Sequence, residues 1–128
     1  MDEPGWSKSP PGLVEVFEAV FPGSPAVARQ MFGYPAGFVN GNMFMGLFQE
    51  EMNLRLGPAD RSELLAMQGA ATFEPMAGRP MKEYVTVPSS LLASPEELEP
   101  WVARALAYGA SLPPKAAKTR AKPKAKPK

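Results

Sequence analysis

Seven cationic side chains punctuate the last fourteen residues: Lys115, Lys118, Arg120, Lys122, Lys124, Lys126 and Lys128, separated only by alanine, proline and one threonine. The chemistry open to such a run is electrostatic. Lysine and arginine neutralise phosphates and release counterions, which gives salt-sensitive, sequence-blind affinity for DNA or RNA. No aromatic side chain is interleaved, so base stacking is not expected. Proline and like-charge repulsion predict an extended, unfolded tail over residues 113–128. The competing reading is a solubilising tail with no specific partner.

Covalent and acid–base chemistry is poorly supplied. The chain has no cysteine and no histidine. Disulfides, thiolate nucleophiles and cysteine-type metal sites are excluded, as are Ser–His and Cys–His hydrolases. The commonest metal ligand is missing too. Glu50-Glu51 and Glu96-Glu97-Glu99 read as a turn and a helix start rather than a metal site. Arg79 and Lys82 can bind an anion, but such residues more often stay solvated or pair with neighbours such as Glu83. Gly33, Gly37, Gly41 and Gly46 lack the Gly-Lys-Ser/Thr ending and the following helix of a phosphate loop. The expectation is therefore no catalytic residue, no metal, no cofactor and no enzyme.

The tail takes seven of the fourteen basic residues, which leaves seven against thirteen acidic side chains in residues 1–114, a net charge of −6. An acidic body joined to a cationic arm is expected to seek different partners with its two parts. At 128 residues the chain fits one domain. Residues 1–9 are expected to be flexible and residues 10–112 to fold. No apolar run reaches the length of a membrane span, and the acidic start Met-Asp-Glu-Pro-Gly is no signal peptide. A cytoplasmic location follows as the default.

Elements follow from spacing. Ser9-Pro10-Pro11 reads as a hydroxyl cap before a proline-started helix. Leu13, Val14, Phe17, Val20 and Phe21 form its apolar face, and Pro22-Gly23 ends it. Val27 to Phe32 begins extended structure, interrupted by Gly33. Asn40-Gly41 predicts a type I′ hairpin pairing Val39 with Asn42 and Phe38 with Met43. The turn near Glu50-Glu51 pairs Leu47 with Leu54 or with Met52, according to its length. Leu64, Leu65 and Met67 mark a short helix after Gly57-Pro58. Thr72–Glu74 and Met81–Val87 predict a second hairpin. Ser94-Pro95-Glu96-Glu97 reads as a capping box before a helix whose stripe is Leu98, Trp101, Val102, Ala105 and Leu106. The resulting fold is α+β, two-layer, with an antiparallel five-stranded sheet and helices on one side in the order α-βββ-α-ββ-α.

Strict alternation along the hairpin puts Ala36, Phe38, Met43, Met45 and Leu47 on one face, joined by Met52, Leu54 and Leu56. Core filling is the expected use of this methionine-rich face. Gly37, Val39, Phe44, Gly46 and Phe48 fall on the other. Val39, Phe44 and Phe48 are then expected to be exposed as a protein interface, most simply of a two-fold homodimer. A covering helix or a parity-reversing bulge is the alternative.

One ordered set of residues carries a resemblance. Met31-Phe32-Gly33, the hairpin with Asn40-Gly41-Asn42-Met43-Phe44, the Leu54-Arg55-Leu56 strand, Gly78-Arg79-Pro80-Met81 with Tyr84 and Pro88, and a closing helix with Trp101 and Ala105-Leu106-Ala107 stand in sequence. Over about residues 10–112 the chain resembles the N-terminal domain of the TfoX (Sxy) family, bacterial proteins named for a competence regulator. The resemblance implies a fold like that of small secretion chaperones, a cytoplasmic location and transcriptional regulation through protein contacts. It supplies no catalytic residues. The full-length regulators add a helical C-terminal domain, where this chain has its Lys/Ala/Pro run. The expected function is a non-enzymatic regulatory module that binds an unidentified protein partner, with non-specific DNA or RNA contact through the tail and no membrane contact. The alternative is a chaperone-like homodimeric protein-binding domain without a nucleic-acid role.

Overall fold

The computed structural model describes residues 9–31, 33–76 and 78–114. The elements run α1 (Pro11–Val20), β1 (Val27–Met31), β2 (Tyr34–Val39), β3 (Asn42–Phe48), β4 (Glu51–Arg55), α2 (Pro58–Leu65), β5 (Ala71–Met76), β6 (Arg79–Thr86), α3 (Ser89–Leu92) and α4 (Pro95–Ser111). The sheet has six strands, all paired antiparallel, in the order β1-β2-β3-β4-β6-β5. The expected five strands are thus six. The extra strand is β1, which pairs Val27 with Phe38 and Met31 with Tyr34. Gly33, read as an interruption, sits at φ 86° and forms the turn between β1 and β2. Only glycine adopts that backbone readily. The expected single closing helix is also two, a short α3 followed by α4.

The Asn40-Gly41 turn has φ of 53° and 81°, both positive as a type I′ hairpin requires. Val39 pairs with Asn42 and Phe38 with Met43. At the next turn Leu47 pairs with Met52 and the ladder continues to Phe48 and Glu51, so Gln49-Glu50 make the corner. Both expected helix caps differ in detail. The α1 N-cap is Pro10, and the Ser9 hydroxyl is buried without a partner. Ser94 occupies the α4 N-cap position but makes no side-chain cap bond.

One irregularity decides the two faces of the sheet. Gly37 pairs with Met45 and Phe38 with Met43, so Phe44 is an extra residue in β3. Such a bulge shifts the alternation by one place. Beyond it Met45, Leu47, Met52 and Leu54 face the helices, as expected, but Phe44 joins them. Val39 also lies beneath the helix layer: the Cβ direction of Gly109 in α4 points at Val39 and Phe44. Val39 is 1% and Phe44 0% exposed. The expectation that both stand on the open face is corrected by this bulge. Phe38 and Met43 move to the open face, where Phe48 remains.

The core is built around α1 and α4. Leu13, Phe17 and Val20 of α1 are buried, with Phe17 and Phe21 stacked 5.5 Å apart and Phe21 6.4 Å from Phe44. Leu98, Val102, Ala105 and Gly109 line the inner face of α4. On its outer side Arg104 reaches Asp60 and Glu63 of α2, each at 3.4 Å, and lies over the Trp101 ring. Exposed pairs of this kind contribute little on their own. At the end of α4 the buried Asn42 side chain donates to the carbonyls of Gly109 and Pro113. This ties the last described residues to the β2–β3 hairpin.

Candidate functional site: an apolar cleft on the open sheet face

The face opposite the helices holds a cleft of about 550 Å³. Its floor follows from register. Ala36, Gly46 and Asn53 are successive partners across β2, β3 and β4 and form a transverse row of short side chains. Larger residues flank that row on the same face. On one side stand Tyr34 and Phe48, their rings 5.4 Å apart. On the other stand Phe38 and Met43, then Arg55 and Tyr84.

The far wall comes from a bend. Between β5 and β6 the register jumps from Thr72–Val85 to Phe73–Met81. On a flat sheet β3 and β5 would lie about 14 Å apart, yet the Phe73 ring is 5.8 Å from Phe48. The bent hairpin therefore curls over the open face and walls one end of the trough. Met31 and Met81 complete the rim.

Polar groups in the cleft are few. Asn53 is 1% exposed, and its Oδ1 is buried without a hydrogen-bond partner. Arg55 donates from Nε to Glu83 at 2.8 Å and lies over the Tyr84 ring. Burial opposes the Arg55 charge, but the Glu83 hydrogen bond and the nearby acidic groups outweigh it, and its pKa rises above the ordinary value. The Tyr84 hydroxyl donates to the Met43 carbonyl at 3.2 Å. Burial pushes its pKa up, against an opposing pull from Arg55.

The raised Tyr84 value has a stability consequence. The folded state holds that proton more tightly than the unfolded chain, whose tyrosine titrates near pH 10. Its contribution is complete below that pH and is lost as pH rises through the folded value. Urea midpoints measured between pH ~9 and ~11 should fall more steeply for the native sequence than for Tyr84→Phe. Equal slopes would show that the hydroxyl is not buried as described.

Among the described residues, no three acidic side chains converge to hold a metal ion. No helix among them is long and apolar enough to cross a membrane. Of the sequence-read interface trio, Phe48 lines the cleft, while Val39 and Phe44 lie under α1 and α4. Lys115, Lys118, Arg120, Lys122, Lys124, Lys126 and Lys128 lie outside the described residues, as does the Arg79 side chain. Sequence reading passed over Asn53, Tyr34, Phe73 and Tyr84. No local signal groups them: the floor of short side chains emerges only once the register of β2, β3 and β4 is known, and the flanking rings only with it.

The fold defines an α+β domain with a helix layer on one sheet face and an apolar cleft on the other. The chain matches the TfoX N-terminal domain over residues 18–108 and belongs to that family. No curated protein matches it significantly.

Proposed function

We propose that this chain is a non-enzymatic regulatory binding module whose cleft receives its ligand and whose cationic segment, residues 115–128, adds sequence-blind affinity for nucleic acid. The observation that carries the reading is the apolar cleft, which holds one amide oxygen without a partner and one fixed guanidinium. Such a constellation suits recognition better than bond-making. Family membership supports the regulatory part. A competence-type transcriptional role, protein contact and a cytoplasmic setting come from the TfoX resemblance.

The tie between Asn42 and Pro113 supports a joint role for cleft and tail. It holds Pro113, two residues before the cationic segment in sequence, beside the hairpin whose Gly41 and Asn42 border the cleft. A mobility shift in low salt tests the tail. The full chain should retard duplex DNA and a chain ending at Pro114 should not. With seven cations available, the slope of log K against log salt should reach at most about −6 on B-DNA. Equal retardation by both chains removes the tail's part, and retardation by neither leaves the chaperone-like reading, which the apolar cleft also favours.

A further inference from the structure

We propose that the cleft binds a small aromatic acid carrying a hydrogen-bond donor on its ring. The proposal deepens the reading of this chain as a binding module and rests on it. A cleft of about 550 Å³ falls within the range of small-molecule sites. Rings of Tyr34, Phe48 and Phe73 along one side offer aromatic contact to a flat apolar body.

Two polar groups set the ligand's ends. Buried acceptors almost always have partners, and an orphan calls for an explanation. Asn53 Oδ1 is such an orphan, 1% of its residue being exposed. A ring-borne donor would satisfy it once the side chains over it part, since the oxygen has almost no surface open to the cleft. Arg55 stands two places along β4 on the same face, about 6.8 Å away along the strand. Glu83 on Nε and the Tyr84 ring hold its guanidinium in place. A planar guanidinium matches a carboxylate. A para-substituted benzene ring carries its donor and its carboxylate at opposite ends, one for each of these residues. The other cleft amide, Asn42, already donates to the end of α4 and is not available.

Other occupants fit less well. A second copy would have to present an apolar knob. Among the described residues the large exposed hydrophobics are Val27, Leu65 and Met81, and Val27 and Met81 belong to the cleft's own face. Two concave faces brought together would leave a void rather than a packed interface. An extended peptide that adds a strand needs a free sheet edge, whereas this cleft lies on a sheet face.

The test titrates the isotope-labelled full chain by NMR with para-hydroxybenzoate, benzoate and para-hydroxybenzyl alcohol. Para-hydroxybenzoate should shift signals from the cleft and bind about tenfold more tightly than either probe lacking one group. Asn53→Leu should erase the advantage of para-hydroxybenzoate over benzoate. Gly46→Val should block all three probes. A Cβ at Gly46 would lie at ordinary contact distance, 3.4 Å from Met43 Cε and 3.7 Å from Ala36 Cβ, so only the added methyls intrude on the trough. If Asn53→Leu fails to fold, the contrast among the three probes on the native sequence decides alone.

The proposal is overturned by any of four results: no shifts at millimolar probe, shifts scattered away from the cleft, discrimination among the probes that is absent from the native sequence or survives Asn53→Leu, or cleft signals that move with protein concentration and not with probe. The last result would mark a second copy as the occupant. The mobility shift reads residues 115–128 and not the cleft. A chain that binds no probe but still needs those residues to retard DNA loses this proposal alone.

Discussion

Phe44→Ala should remove about 3–5 kcal/mol of folding stability, the usual loss for a fully buried aromatic ring. Phe44 is 0% exposed, and its ring packs 6.4 Å from Phe21, just past the end of α1. A domain of this size has only about 5–15 kcal/mol in total, and each kcal/mol shifts Tm by about 4–8 °C. A fall of about 12–40 °C is therefore expected, and the weaker end of that stability range would not fold at all. Phe48→Ala is the control. Its ring belongs to the cleft wall and is half-buried, so its loss should lower Tm by a smaller amount. Thermal melts of the two variants compare the faces directly. Should Phe48→Ala prove the more damaging, the bulge at Gly37 and Phe38 is misplaced, and with it the cleft.

Much of this architecture was legible from local signals, because those signals have local causes. Asn40-Gly41 specified its own turn and, through it, the pairing of Val39 with Asn42. The stripes of α1 and α4 follow from helical spacing, and Leu13, Phe17, Leu98 and Val102 are buried as that spacing predicts. Strand β1 was harder to see. Its residues Val-Ala-Arg-Gln-Met do not alternate in polarity, and all but the last are exposed. The bulge was not legible. A period-two reading has no mark for an inserted residue, so one extra position in β3 moved Phe44 from the expected open face to the core. Gly37 was the one cue, since a Cβ there would meet Phe21, Met45 and Phe44 at 2.8, 3.0 and 3.2 Å. That crowding is a fact about three elements together. The cleft depends on still longer-range information, because Ala36, Gly46 and Asn53 become a floor only when three strands are in register.

Gly109→Ala should destabilise the fold by about 1–2 kcal/mol, although glycine to alanine inside a helix ordinarily gains up to about 1 kcal/mol. The reversal comes from packing. A Cβ at Gly109 would stand 2.9 Å from Val39 Cγ1 and 3.2 Å from Phe44 Cβ. Neither neighbour yields easily. Valine is stiff at χ1, and the Phe44 Cβ moves only with its own backbone. The helix end must lift instead, at an overpacking cost of about 1–3 kcal/mol that exceeds the propensity gain. Lifting α4 also strains the Asn42 bonds to the Gly109 and Pro113 carbonyls, the link that holds Pro113 against the β2–β3 hairpin. A double-mutant cycle with Val39→Ala isolates the contact. Removing the Val39 methyls should make room for the new Cβ, so the double variant should be more stable than the sum of the two single losses predicts by about 1 kcal/mol or more. Strict additivity in urea midpoints would mean that α4 does not approach β2 this closely. The placement of Val39 under the helix would then have to be withdrawn.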